Sequence, residues 1–362
     1  FNLEEKLNEH GSVTLYTCPG REQARSNAAV MLGAYLVLRH AWSVDRVVDA
    51  LGAEEAARRF ICSFATVNRP EPIRNLRIQE CWAGMALARD RKWLDAKCVT
   101  DRASVTAACR RHRRMVDQFD AAWLIPGRVM VAADPTTTSV DPNPATVKYV
   151  FPPTEADRLE MMMKEKDVAD SGGPSFMSES TATPTSTTDN FDFDTRAAWP
   201  EGSSTCSSVH GTPITQQPKA KQAAEASFVG LLTESGVSVV LRTNSLQERG
   251  MLSRSYDGRR LGAFGINHKD ITLEDGGCPS KNDVAEALHA TASAMESKDE
   301  AILVHCKGGF GRSVTVACCV IIEHLDIPGP VLLGWVRMAR PGAINTPQQE
   351  RFLQSLGGRA DL

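Results

Sequence analysis

The sequence predicts an α/β fold in its carboxy-terminal part. The β-rich run Val237 to Leu241 and the apolar run Ala301 to Val304 have the length of buried strands. Amphipathic helices are predicted beside them, near 220–234 and 283–296, and the apolar run Val314 to Ile322 is long enough to be a buried helix. Strands that alternate with helices in this way are typical of a sheet with helices packed on it.

Two further regions precede this part. Up to about residue 135 the chain reads as ordinary globular sequence, with predicted helices over 28–39, 44–51 and 80–90. Between residues 171 and 218, Ser and Thr make up more than a third of the sequence and aliphatic residues are few. Such a segment cannot bury enough apolar surface to order itself, so a disordered insertion is predicted there.

Composition limits the classes of function. The chain has 362 residues, of which 42% are hydrophobic, so it has room for two domains. A net charge of −3 gives no electrostatic case for binding nucleic acid or an anionic membrane. The apolar stretch 28–38 is too short to span a bilayer, so a soluble protein is expected. The 10 cysteines show no CxxC pair, which favours reduced thiols in the cytoplasm or nucleus over a disulfide framework or a zinc site.

The stretch between the predicted strand and helix at 301–322 carries the strongest chemical signal. It is His305-Cys306-Lys307-Gly308-Gly309-Phe310-Gly311-Arg312-Ser313. A helix N-terminus offers unpaired N–H groups and a positive dipole to an anion, and glycines let those N–H groups surround a phosphate. Arg312 is expected to clamp phosphate oxygens, Cys306 to act as a nucleophile, and the Ser313 hydroxyl to help the sulfur leave as thiolate. This arrangement is what a cysteine-dependent phosphatase needs.

Other interpretations of the cysteine loops stay open. A cysteine near glycines can be an inert buried hydrophobe, and a sulfur-transfer loop of the rhodanese type also holds a cysteine in an anion cradle. A weak internal echo, in which Arg25 and Ser26 follow Cys18, has six intervening residues with a single glycine and a proline. Cys18 is therefore expected to belong to a degenerate copy of the fold and not to act as a second nucleophile.

Several segments resemble the cell-division-cycle fourteen family of dual-specificity protein phosphatases. In the carboxy-terminal half these are Val304–Ser313, Gly236–Asn244, His268–Asp270 running to Asp275-Gly276, and Trp335–Arg337 running to Arg340–Ile344 and Pro347–Gln349. In the amino-terminal half, Arg25–Tyr35 and Trp123–Arg128 are similar to the family's non-catalytic domain. The residues Ser313-Val314 stand where members usually carry Thr and Gly, and the long insertion is unlike typical members.

The resemblance implies an α/β fold of two tandem protein-tyrosine-phosphatase-like domains, each a central sheet flanked by helices. The implied division is a non-catalytic domain over 1–150, a linker with the insertion over 151–218, and a catalytic domain over 219–362. A groove between the domains is implied to prefer phosphoserine followed by proline and a more distant basic residue. Its acidic side chains are sought in the stretch 152–170, although a solvated helix face is the more usual explanation of such an acidic run. The candidates there are Glu155, Asp157, Glu160 and Glu165.

The resemblance also assigns roles around Cys306. Asp275 matches the general acid, with Asp270 as the fallback and an ordinary Asp-Gly turn as the alternative. Either Gln348 or Gln349 is expected to position the water that hydrolyses a phosphocysteine intermediate. His305 is expected to fix the loop and tune Cys306. The phosphate is expected to lie against Lys307, Gly308, Gly309, Phe310, Gly311 and Arg312. No metal or other cofactor is required, because these groups supply both charge stabilisation and acid.

The predicted function is hydrolysis of phosphoserine, phosphothreonine and phosphotyrosine in phosphoproteins, in particular in substrates of proline-directed kinases. The alternatives are a catalytically weak pseudophosphatase that binds phosphopeptides, and a phosphoinositide or RNA phosphatase of the same fold. The insertion carries Thr183-Pro184 and Thr212-Pro213, which are open to phosphorylation or incidental. Whether Cys278 pairs with Cys306 under oxidation is also left open.

Overall fold

The fold is described from a computed structural model, which covers residues 2–14, 22–51, 77–94, 101–136, 150–152, 227–251 and 253–362. These residues belong to one compact unit, built from the chain up to residue 152 and from residue 224 onward. Cys18, the acidic stretch after residue 152, the Ser/Thr-rich insertion and its Thr-Pro pairs lie outside the described residues.

Helices dominate the amino-terminal part, and strands alternate with helices after residue 227. The helices are α1 Asn2–His10, α2 Glu22–His40, α3 Val44–Leu51, α4 Ile78–Asp90, α5 Arg102–Phe119, α6 Phe228–Glu234, α7 Lys281–Glu296, α8 Arg312–Leu325, α9 Gly329–Ala339 and α10 Pro347–Gln354. The strands are β1 Ala121–Ile125, β2 Val129–Ala133, β3 Val237–Arg242, β4 Asn267–Asp270 and β5 Ala301–Cys306, with 3₁₀ helices over Gly258–Phe264 and Arg359–Asp361.

The five strands form one mixed sheet in the order β1-β2-β5-β3-β4. β1 and β2 are an antiparallel hairpin, whereas β2, β5, β3 and β4 run parallel to their neighbours. β5 is central and buried along its whole length, as expected for a parallel strand covered on both faces. Because the carboxyl ends of parallel strands meet at one edge, Ala133, Arg242, Asp270 and Cys306 all end there.

The hairpin corrects the predicted division of the chain. Trp123 to Arg128 lies within β1–β2 and pairs, through β2, with the strand that ends at Cys306; Ala133 stands opposite Cys306. The segment therefore belongs to the same sheet as β5 and not to a separate amino-terminal domain, and a boundary at residue 150 cuts through that sheet. One sheet is present in the described residues, so the tandem arrangement of two such domains stays a prediction.

The amino-terminal helix α4 packs directly on α9. A Cβ added to Gly84 would lie 2.4 Å from the backbone N of Trp335, and one added to Gly334 would lie 2.2 Å from the carbonyl oxygen of Glu80. The two helices thus touch backbone to backbone, which only glycine allows at these two positions. The Trp335 indole donates to the Leu124 carbonyl at 2.8 Å, which joins α9 to β1. The helices before the sheet are therefore part of its packing.

Candidate active site

The loop after β5 turns sharply into helix α8 and surrounds the sulfur of Cys306. Gly309 has φ +71°, a left-handed conformation that favours glycine, and a Cβ there would lie 2.5–2.6 Å from the backbone of Ala132 and Ala133. Its N–H donates to the Cys306 Sγ at 3.2 Å, and the Ser313 hydroxyl lies 3.3 Å from the same sulfur. Helix α8 begins at Arg312, immediately after this loop. Cys306 thus sits at the positive end of a buried helix.

The guanidinium of Arg312 is held rigidly beside the loop. Its two terminal nitrogens donate to the two carboxylate oxygens of Glu248 at 2.7 and 2.8 Å, and one of them also donates to the Leu273 carbonyl at 3.0 Å. Burial works to lower the pKa of Arg312, but the Glu248 carboxylate raises it above its usual value. Burial likewise works to raise the pKa of Glu248, and hydrogen bonding by Arg312 holds it below its usual range. Both groups stay charged, so the clamp fixes a cation in place.

Asp275 lies at the mouth of the same pocket. Its carboxylate is 3.5 Å from the Arg312 guanidinium and its side chain is 79% exposed. The pocket has a volume of about 190 Å³ and is lined in addition by Cys306, the loop and Asn345. Asp270, the fallback for the general acid, does not line this pocket; it is bound by Arg242 at 2.5 and 3.0 Å and lines a different cavity. The geometry therefore favours Asp275 over Asp270.

The two glutamines differ in position. Gln349 is fully buried, and its amide donates to the Gly277 carbonyl at 2.9 Å. A Cβ at Gly311 would lie 2.9 Å from the Gln349 Oε1, which places this amide against the phosphate loop. Its Oε1 is buried and has no hydrogen-bond partner among the described residues. Gln348, the residue assigned to the site, is exposed on the other side of α10. This assignment is corrected to Gln349, because one residue along a helix turns the side chain by about 100°.

The loop that carries Asp275 is tied to the start of helix α10. The Thr346 hydroxyl donates to the Gly276 carbonyl at 3.1 Å, next to the bond from Gln349 to Gly277. Thr346 is also the N-cap of α10, where its oxygen accepts from the Gln349 N–H. The acid and the glutamine therefore share one support and are positioned together.

A buried polar group lies behind Cys306. His305 is fully buried, and its Nε2 forms a hydrogen bond of 2.7 Å with the Tyr256 hydroxyl. Its Nδ1 is 3.9 Å from the carboxylate of Asp134, which itself accepts from Ser255 at 2.5 Å. Burial lowers the pKa of His305 to about 4, despite the nearby Asp134. The imidazole is thus neutral near pH 7 and supports the loop without carrying charge.

Lys307 and Phe310 extend the loop toward its neighbours. The Lys307 ammonium donates to the Arg249 carbonyl at 2.6 Å, so it crosses to the segment that carries Glu248. The Arg340 guanidinium lies 4.0 Å from the centre of the Phe310 ring, and its Nε donates to the Gly309 carbonyl at 3.4 Å. Both ends of the loop are therefore fixed by residues from other elements.

Sequence patterns missed part of this site. Glu248, Tyr256 and Asp134 were not singled out, and Arg340 was quoted only within a family segment, because each reaches the site only through tertiary structure. A signal existed for Glu248: it follows a predicted strand, and side chains after parallel strands gather at the carboxyl edge of the sheet. Among the described residues, no cluster of three or more His, Cys, Asp or Glu side chains has the geometry to hold a metal.

Comparison with known proteins gives one consistent result. Residues 215–326 match a family model described as "Polymorphic toxin system, DSP-PTPase phosphatase". The chain is 30% identical over 129 residues to the dual specificity protein phosphatase CDC14C of Homo sapiens. This alignment covers 36% of this chain and 26% of that protein. The chain is 34% identical over 118 residues to human CDC14A, covering 33% and 18%. The chain thus spans about a quarter or less of the length of these relatives.

Solved structures are matched over a comparable share of this chain. The chain aligns with Tk-PTP in its active form at 23% identity and a TM-score of 0.31, over 37% of this chain and 85% of that one. It aligns with the kinase associated phosphatase at 21% identity and a TM-score of 0.28, over 36% and 72%. In the part of the chain that is described, no helix is both long and apolar enough to cross a membrane.

Proposed function

We infer that this chain removes phosphate from phosphoproteins, on the premise that its carboxy-terminal region is a CDC14-type member of the protein-tyrosine-phosphatase superfamily. The fold that carries the chemistry is the α/β fold of that superfamily, a mixed central sheet flanked by helices. One observation carries the proposal. The Cys306 sulfur accepts an N–H from its own loop and lies beside a hydroxyl, in a pocket that also holds a clamped arginine and an exposed carboxyl group.

The first step that this geometry supports is transfer of the phosphoryl group to sulfur. The Cys306 thiolate attacks phosphorus, the S–P bond forms, and the P–O bond to the leaving group breaks. Arg312 and the loop N–H groups hold the three phosphoryl oxygens, on which negative charge is spread. Asp275, protonated beforehand, gives its proton to the leaving oxygen, so that an alcohol or phenol departs.

The second step returns the enzyme to its starting state. Water attacks phosphorus, the S–P bond breaks, and the Ser313 hydroxyl donates to the departing thiolate. Asp275, now a carboxylate, takes the proton from the water, and inorganic phosphate leaves. The free Oε1 of Gln349 beside Gly311 is suited to accept a hydrogen bond from that water. Gln349 is assigned this role in place of Gln348.

The substrates proposed are phosphoserine and phosphothreonine followed by proline, together with phosphotyrosine. The similarity to dual specificity phosphatases supports this choice of substrates, which is more specific than the similarity itself. The pocket is shallow enough for Asp275 to remain largely exposed, which suits a phosphoester presented on a protein surface.

The test is phosphate release from a phosphoserine-proline-x-lysine peptide, from the matched phosphoserine-alanine peptide and from a soluble phosphoinositide. Wild type is expected to turn over the proline peptide fastest, and Cys306→Ser is expected to bind it with no turnover. Ser313→Ala serves as the second variant, with release of phosphate slowed more than its transfer to sulfur. Binding without turnover by wild type would identify a pseudophosphatase, and faster turnover of the phosphoinositide would assign a different substrate class.

A further inference from the structure

Helix α5 carries a strongly basic face that has no part in the site described above. The helix holds five arginines and a single acidic residue, Asp117, so its own net charge is +4 although that of the whole chain is −3. The arginines are Arg102, Arg110, Arg111, Arg113 and Arg114. Four of these five flank His112 in the sequence Arg-Arg-His-Arg-Arg, a density of charge that repels itself unless an anion lies nearby.

The arginine-rich stretch is exposed because α5 packs on the core cluster near its carboxyl end and not along this stretch. Phe119 is buried and Met115 packs against the same core cluster, whereas residues 109–114 are all exposed. Arg113 pairs with Asp117 at 3.6 Å. Arg110, Arg111 and Arg114 form no hydrogen bond or ion pair with any residue that the structure describes. These three arginines form the exposed arginine face of α5.

The end of α5 is joined to the phosphate loop by one side chain. The helix stops at Asp120, which has φ 46° and a left-handed backbone. Arg340 contacts the Asp120 carboxylate at 2.8 Å and donates to its carbonyl at 3.0 Å. The same guanidinium lies over the Phe310 ring and donates to the Gly309 carbonyl. The carboxyl end of α5 is therefore fixed next to the catalytic loop, and the rest of the helix extends away from it.

We propose that the exposed arginine face of α5 is a docking surface for an acidic segment of the phosphoprotein substrate. The proposal rests on the proposed function and adds a charge preference to it. Along the helix, Arg114 and Arg110 lie about 9 and 15 Å from Asp120, at ~1.5 Å per residue. An extended peptide covers ~3.3 Å per residue, so about three to five residues span the distance from Asp120 to these two arginines, in addition to the residues that lead from the pocket at Cys306 to Asp120.

Other anionic partners fit this face less well. A membrane-binding helix needs large apolar side chains that enter the lipid beside its cations, and the large apolar residues nearest the arginines, Met115 and Phe119, pack on a core cluster of the protein. Single-stranded nucleic acid is held by aromatic side chains that stack on bases, and the one aromatic ring of this helix besides His112 is the buried Phe119. An acidic peptide needs only the guanidinium groups that are present.

The proposed preference is also opposite in sign to the one that the family resemblance implies. That resemblance predicts a basic residue shortly after the phosphorylated side chain, whereas α5 attracts acidic residues further along the chain. The two are compatible when they act at different distances from the phosphate. A substrate that carries both would be recognised at two places.

The experiment compares two phosphoserine-proline peptides. One carries four Glu about seven residues from the phosphoserine, on both sides of it, and the other carries four Gln at the same positions. At low salt, wild type is expected to show a KM about tenfold lower for the Glu peptide, with kcat unchanged, since several exposed ion pairs together make a modest contribution to binding. The preference is expected to vanish near 0.5 M salt. It is also expected to vanish in the triple variant Arg110→Gln, Arg111→Gln, Arg114→Gln.

A matched control removes the same charge elsewhere on exposed positions, through Arg91→Gln, Lys281→Gln and Lys298→Gln. This control is expected to keep the preference, and both triple variants are expected to hydrolyse p-nitrophenyl phosphate as wild type does. Binding of the two peptides to Cys306→Ser, followed by fluorescence anisotropy, reports docking even when no substrate is turned over. The same measurement therefore separates failure of the docking surface from failure of the proposed activity.

Three results would overturn the proposal. The first is equal KM and equal binding for the Glu and Gln peptides in wild type. The second is an equal loss of preference in the control triple variant. The third is arginine-dependent binding of a 20-nucleotide single-stranded RNA or of phosphatidylserine vesicles that exceeds binding of the Glu peptide.

Discussion

Two cavities lie at the carboxyl edge of the sheet, and they share one construction. In the pocket of about 190 Å³ at Cys306, Glu248 holds Arg312 through two hydrogen bonds. In the cavity of about 770 Å³ beside β3 and β4, Asp270 holds Arg242 in the same way. Both arginines are buried; Arg242 is the last residue of β3, and Arg312 is the first residue of the helix that follows β5.

The difference between the cavities lies in what else faces the arginine. Arg242 donates its remaining terminal hydrogens to the Ser255 hydroxyl and the Tyr256 carbonyl, so its bonding is internal. Arg312 stands beside a thiol, a loop of N–H groups at a helix N-terminus, and a solvent-exposed carboxyl group. The larger cavity contains more charged residues but no nucleophile. The volume of a cavity and a buried cation therefore do not distinguish the candidate active site. What distinguishes it is the set of backbone N–H donors around the Cys306 sulfur.

The largest effect that separates the two cavities is expected from their arginines. Arg312→Lys should lower kcat/KM by about 10³-fold, because a point charge cannot hold two phosphoryl oxygens as the planar group does. Arg242→Lys should keep turnover near wild type and lower the free energy of unfolding by about 3 kcal/mol, because it leaves buried acceptors unpaired. Steady-state kinetics and urea unfolding of both variants measure this contrast. Equal loss of turnover in the two would remove the distinction.

A smaller effect is expected from the two acidic residues. Asp275→Asn should reduce kcat on a phosphoserine peptide by about 10²-fold, since a serine alkoxide cannot leave without a proton. The loss should be much smaller with p-nitrophenyl phosphate, whose leaving group needs no acid. Asp270→Asn serves as the control and should leave both rates unchanged. A deficit in Asp275→Asn that is the same for both substrates would argue against its role as general acid.

The smallest effect is expected from His305, which is buried next to Cys306 in the chain and hydrogen-bonded to Tyr256. Burial holds the pKa of His305 at about 4 in the folded chain, below the usual value of 6.5. The unfolded chain therefore binds more protons between these values, so the stability that neutral His305 contributes is complete above about pH 6.5 and is lost as the pH falls toward 4. Between pH 7 and 5 this loss should be about 2 kcal/mol.

Thermal unfolding as a function of pH tests the direction of this change in stability. Replacement of His305 by Gln, which retains a partner for Tyr256, should flatten the curve between pH 7 and 5. The other groups that face His305 are Asp134, Arg242, His268 and Asp270, of which His268 also has a lowered pKa because of burial. His268→Gln is therefore measured alongside. A pH dependence that His305→Gln leaves unchanged would contradict the assignment.

The sequence was sufficient for the parts of the site that are local in the chain. Cys306, Arg312 and Ser313 lie within one strand–loop–helix, where spacing alone determines which groups converge. Gln348 and Gln349 could not be separated, because the choice depends on which side of α10 docks on the loop. Glu248 could not be assigned for the same reason, since it reaches Arg312 across 64 positions of sequence.

The fold was predicted less completely than the site. The strands β3 and β5 and the helix α8 lie where periodicity predicts them. The hairpin β1–β2 was placed in the wrong domain, because the partner of β2 is β5, some 170 residues later. Strand pairing at such distances leaves no periodic signal in a single sequence, and a short family match was too weak to determine which sheet the hairpin joins.

The place of β2 in the chain imposes an order on synthesis. Among the described residues, the strand that follows β2 in the chain is β3, which begins at Val237, and the partner of β2 is β5, which is made later still. The hairpin therefore leaves the ribosome first, and its β2 edge stays unpaired until β5 has been made.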